Sequence, residues 1–173
     1  MKRKLFWSLL VAASLTFASL SPALAMDTAT YKKVANNTIK TVLSGSVSDV
    51  DALIADQKKL IAIGVKGCQE YAKKAPKHAK LMKLVIANAD NMTNMTLDEI
   101  EPAWHDGEFV NENGIDFDAI DHFSPALSHM DAVLHPATAI IALRDYKSSG
   151  DSDLLEQVKD ELSEVLKHIE HVN

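Results

Sequence analysis

Residues 124–147, SPALSHMDAVLHPATAIIALRDYK, decide the fold. Ser124 followed by Pro125 reads as an N-cap with proline at the first helical position, where its missing N–H costs nothing. Ala126, Leu127, Met130, Val133 and Leu134 then recur at helical spacing, as do Ala137, Ile140 and Ile141. Pro136 predicts a kink, because its ring displaces a backbone hydrogen bond. A helix this apolar needs other helices to cover it, and the rest of the chain reads as that cover.

On the C-terminal side, Ser148-Ser-Gly-Asp-Ser is a turn and Asp153 to Val172 is an amphipathic helix. Its stripe is Leu154, Leu155, Val158, Leu162, Val165, Leu166, Ile169 and Val172. On the N-terminal side, a helix runs from Tyr31 to Leu43 and ends at Gly45. Ser48 with Asp51 forms a variant capping box for a second helix reaching about Lys74. Gly64 and Gly67 weaken that helix by about 1 kcal/mol each relative to alanine, and offer a neighbour close approach. Pro76 starts a third helix to about Asn91, and Thr96-Leu-Asp-Glu99 is a capping box for a short helix that Pro102 ends or bends. Residues 105–117, HDGEFVNENGIDF, read as the one long loop. Strand alternation is absent from the pattern. The expected fold is all-α, an antiparallel bundle of four long helices plus one short helix built around residues 124–147.

The first 25 residues read as an export signal. Lys2, Arg3 and Lys4 precede an apolar run from Leu5 to Leu20, and Pro22 stands before the small-x-small site Ala23-Leu24-Ala25. The run is shorter than the ~20 apolar residues of a membrane span. Residues 1–25 are therefore expected to be cleaved and 26–173 to form a single periplasmic domain with no membrane span after processing. Its one cysteine, Cys68, permits no internal disulfide and falls on an apolar face as an inert thiol. No CxxCH occurs, which excludes covalent c-type haem.

Charge is unevenly placed. Residues 26–95 carry eleven lysines against six acids, and residues 96–173 carry four basic residues against eighteen acids. A domain this acidic is not expected to bind nucleic acid, and its C-terminal half attracts cations. Residues 98–122 hold nine acids and no lysine or arginine, bracketed by His105 and His122. Carboxylates with imidazoles suit Zn, Cu or Ni, whereas carboxylates alone suit Ca. The run Asn111 to Asp118 departs from a calcium loop, with Phe109 at the first ligand position and no closing glutamate. His122 and His129 share a helical face but stand ~10.5 Å apart along the axis, too far to share one ion at ~2 Å from each. Each then needs ligands from the acidic loop or from another helix.

Three other groups carry weaker signals. Asp118/His122 and Asp131/His135 are i,i+4 pairs, with His135 directed away from the other two histidines. Glu161, Glu164, His168 and His171 fall on the outer side of the last helix and read as a solvated face. His78 with Met82 could serve soft copper or non-covalent haem. Arg144, the one arginine after residue 25, is expected to pair with an acid. The chain has no phosphate loop and no nucleophile elbow, so an enzyme is not expected. The leading expectation is an exported, non-catalytic bundle holding a divalent or cuprous metal through His105, His122 and His129, assisted by Asp118 and Asp121. A cofactor-free bundle that binds a protein partner is the alternative, and a haem electron carrier a weaker one. The sequence leaves the oligomeric state open.

Overall fold

The computed structural model describes residues 26–172, so the export signal expected over residues 1–25 lies outside the described residues. The chain is all-helical, with no strand among the described residues. Among the described residues seven α-helices follow in order: α1 Thr28–Val42, α2 Val50–Lys74, α3 Ala79–Met92, α4 Leu97–Ile100, α5 Glu108–Glu112, α6 Pro125–Ser149 and α7 Asp153–His168. Short 3₁₀ turns at Pro76–His78 and Ile169–His171 flank α3 and follow α7.

α6 is the axis of the structure. Ser124 Oγ accepts from the Leu127 amide at 3.2 Å, Pro125 occupies the first turn, and Gly150 closes the helix at φ 74°. Every residue from Ala126 to Leu143 is buried. By length and composition α6 is apolar enough to cross a membrane, yet its apolar stretch is enclosed by the protein's own helices. One face, with Met130, Val133, Leu134, Ile140 and Ile141, packs on Leu81, Met82, Val85, Ile100 and Trp104. The opposite face presents Ala132, Ala139, Ala142 and Leu143 to Tyr31 of α1 and to Leu155, Val158 and Leu162 of α7. Alanines on that side let two helices settle close to the axis.

Pro136 does not end α6. Its missing N–H orphans the carbonyl four residues earlier, Ala132, inside the core. Tyr31 repairs this: its hydroxyl donates to Ala132 O at 3.0 Å. Gly64 of α2 meets the same carbonyl, where a Cβ would lie 2.4 Å from Ala132 O. That contact is with backbone, so no side chain can swing away to admit an alanine.

Several local expectations change. Asp49 rather than Ser48 caps α2, its carboxylate accepting from the Ala52 amide at 2.9 Å. The capping box of Thr96 and Glu99 forms, but Pro102 widens the next turn, so that Asp106 N donates to Glu101 O at 2.9 Å across residues Glu101–His105. The expected loop 105–117 contains α5, because Gly107 at φ 77° reverses the chain and packs against Phe117. Arg144 makes no ion pair among the described residues. It is exposed and donates to Met95 O at 3.3 Å.

Two outcomes test this packing. Tyr31→Phe leaves the Ala132 carbonyl buried and unpaired, a loss of ~1–3 kcal/mol. At ~2–4 °C per kcal/mol for a domain of this size, the thermal midpoint should drop by several degrees; an unchanged midpoint would show that another donor serves this carbonyl. Cys68 is wholly buried, its thiol donates to His129 O at 3.2 Å, and burial pushes it up to about 12. Iodoacetamide at pH 8 should therefore leave native Cys68 unmodified and alkylate it only after denaturation.

Candidate metal centre

Two polar stripes face each other across the α6–α7 contact. On α6, Asp131, His135 and Thr138 stand at i, i+4 and i+7; on α7, Glu161, Glu164 and His168 stand at i, i+3 and i+7. The wide turn before α5 supplies His105, and the segment leading into α6 supplies His122. These elements enclose a cavity of about 360 Å³, with Phe117, Asp118 and Ile120 on its rim. Neither lysine nor arginine lines it.

The side chains form a row. His105 Nε2 lies 3.9 Å from Glu161 Oε2, and His135 Nδ1 lies 2.8 Å from the same oxygen. His168 Nδ1 lies 3.0 Å from Asp131 Oδ2, and His168 Nε2 lies 3.6 Å from Glu164 Oε1. His122 Nε2 stands 4.0 Å from that glutamate oxygen and closes the row. Successive imidazole centroids, His105 to His135 to His168 to His122, are 5.1, 6.1 and 4.8 Å apart. Carboxylates thus alternate with imidazoles from end to end. Three overlapping triads result, each with its ligand atoms within 4.8 Å of one another: His105–His135–Glu161, Asp131–His135–His168 and His122–Glu164–His168.

The hydrogen bonding is incomplete. Thr138 Oγ1 gives its one hydrogen to Leu134 O, so at 3.1 Å it accepts from His105 Nε2 and selects that tautomer. His168, with a side chain only 1% exposed, has no hydrogen-bond partner at Nδ1, since the neighbouring Asp131 oxygen is out of line. An unpaired ring nitrogen this deep is costly unless something else satisfies it.

Electrostatics point the same way. Burial pushes His135 and His168 down to about 4 and lowers His105 as well, so these rings are neutral at pH 7, the form that binds metals. Burial, reinforced by Glu164 and Glu161, pushes the Asp131 carboxyl well above the usual carboxylate range; burial likewise carries Glu161 to about 7. Glu164 alone is lowered, chiefly by its hydrogen bond from Lys167. The pocket therefore gathers donors, and Lys167 engages Glu164 Oε2 at 2.6 Å from outside its lining. Two imidazoles and a carboxylate suit Zn, Cu, Ni or non-haem Fe, and such a triad leaves coordination positions open toward the cavity.

The residues singled out in the sequence are dispersed around this cluster. His105 and His122 reach it, at opposite ends of the row. Asp118 lines the rim, exposed, and Asp121 is exposed and spends its carboxylate on the Phe123 amide at 3.0 Å. His129 faces a different pocket, beside Met26, Gly67 and Tyr71, with its ring 4.7 Å from the Tyr71 ring. The three histidines therefore do not meet around one carboxylate. His135, expected to point away, is the hub of two triads, and Glu161 and His168, expected in solvent, are buried in the cluster. The signal was the matched spacing on α6 and α7; the misjudged quantity was which flank of each helix faces inward. Met82 is wholly buried in the core and His78 stacks on Tyr71 at 6.0 Å.

No family model matches the chain, and no curated protein or solved structure is significantly similar to it.

Asp131 offers a test of how the cluster bears on stability. Its folded carboxyl titrates above the unfolded value of 3.8, so its contribution is full below that value and is lost as pH rises. In EDTA-treated protein, Asp131→Asn should therefore raise the thermal midpoint at pH 7 and lose that advantage below about pH 4. A lower midpoint at pH 7 would mean that groups already present satisfy the ionised carboxylate.

Proposed function

We propose that this is an exported, non-catalytic helical-bundle protein that holds a divalent transition metal in the cavity between α6 and α7. The observation that carries this reading is the row of four imidazoles and three carboxylates, grouped into three overlapping ligand triads, with no lysine or arginine in the lining. Its donors are all nitrogen and oxygen, which favours Zn, Cu(II) or Ni over cuprous ion. The basic, apolar and small-residue segments of residues 1–25 support export to the periplasm and a domain beginning near Met26. Protein partners belong to the competing, cofactor-free reading.

Thermal unfolding tests the proposal. The protein from residue 26 onward is treated with EDTA and then scanned with Zn, Cu(II), Ni or Ca. A metal that binds only the folded state adds ~2.7 kcal/mol at a hundredfold excess over its dissociation constant. The midpoint should rise by about 5–10 °C with one transition metal and not with Ca. The double variant His135→Gln/His168→Gln should abolish the rise, whereas His129→Gln should retain it. No rise with any ion would overturn the proposal and leave the cofactor-free bundle.

A further inference from the structure

We propose that the row holds two metal ions side by side, one at each end, rather than a single ion at its centre. This inference rests on the metal-binding reading above and adds the nuclearity of the site. The first ion takes His105, His135 and Glu161; the second takes His122, His168 and Glu164.

Distances favour the ends. Tetrahedral ligands at ~2.0–2.1 Å from a metal stand about 3.3 Å from each other. In the first triad the nitrogen–oxygen separations are 2.8 and 3.9 Å, and in the second 3.6 and 4.0 Å. The first set brackets the required value and the second lies a little above it, so both need shifts of well under an ångström on average. Each end is moreover a complete two-histidine, one-carboxylate set, so neither borrows a ligand from the other.

The centre has a different task. Asp131 lies 3.0 Å from His168 Nδ1, the ring nitrogen opposite the one that faces Glu164. A carboxylate behind a ligating imidazole fixes its tautomer and direction. A small rotation would align that contact and satisfy the ring nitrogen that now has no partner. Asp131 is thus a positioning residue for the second ion. At the first ion, the metal takes the place of the proton that His105 Nε2 now gives Thr138. Metal uptake at that end therefore requires His105 to shift its proton to Nδ1, a change of tautomer with no net proton released.

The two ends differ in access. His105 and Glu161 side chains are 19% and 10% exposed, whereas His122 and Glu164 are 63% and 37% exposed. The second ion should therefore exchange faster.

Copper(II) titration of the EDTA-stripped protein, read by calorimetry, metal analysis and electron paramagnetic resonance, decides the matter. Two equivalents per chain are expected. The second should broaden the signal of the first, because the neighbouring ligand rings His135 and His168 lie 6.1 Å apart. His122→Ala, at an exposed position that should not disturb folding, should bind one equivalent with a sharp mononuclear signal. His105→Ala should also bind one, and Asp131→Asn should weaken only the ion that His122→Ala removes. One equivalent in the unsubstituted protein would overturn the two-ion inference while leaving the metal-binding reading intact. Two equivalents with unbroadened signals, or two surviving in His122→Ala, would overturn it as well. No binding of copper, zinc or nickel would overturn both.

Discussion

The structure depends on the enclosure of α6 from Ala126 to Leu143. A helix shut away from water on every side cannot leave a polar group to solvent, so it depends on neighbouring elements for partners. Pro136 sharpens the demand by freeing a carbonyl in mid-helix. Tyr31 meets it from α1, and Gly64 allows α2 to lie against the same peptide. Three helices are thereby fixed relative to one another at a single point, the residue next to Asp131 and less than one turn from His135 of the candidate centre.

The same enclosure creates that centre. Asp131, His135 and Thr138 cannot reach water, so their partners come from α7 and from the turn carrying His105. What is gathered is electrostatically one-sided. Burial disfavours the imidazolium form of the histidines and the ionised form of Asp131 and Glu161, and no basic side chain in the lining offsets either. A hydrophobic replacement would make a simpler core. Retaining so many desolvated groups beside one cavity is the pattern expected of a site whose missing charge arrives with a ligand.

Much of the fold was legible because it rests on local chemistry. The cap at Ser124, the box at Thr96 and Glu99, and the stripe of α7 each follow from residues a few positions apart. The turn signals misled where tertiary contacts compete: α5 forms because Gly107 can reverse the chain against Phe117, which the spacing of an acidic segment does not reveal. The candidate site was half legible. His105 and His122 were found as histidines bordering an acidic loop, but the loop's own acids largely cap turns, as Asp121 does for Phe123 and Asp116 for Ala119. Glu161 and His168 were placed in solvent because they flank the apolar stripe of α7, and a stripe shows where a helix is most buried, not how far burial extends to either side. On α6 the ambiguity was complete: a helix buried all round has no polar face by which to orient His129 against His135.

That geometry also explains an asymmetry within the centre. Asp131, His135, Glu161 and His168 project from two long helices in direct contact, so their backbone positions are set by core packing. His105 is held nearly as firmly, since the neighbouring Trp104 is buried against Phe109. His122 alone comes from a short irregular segment, backed by the half-exposed Phe123, whose ring also lies 5.3 Å from the His168 and His171 rings. One end of the row is therefore rigid and closed and the other adjustable and open. Ligand geometry at the closed end is fixed by folding, whereas at the open end it is completed by the segment that carries His122, and any traffic between cavity and solvent is easiest there.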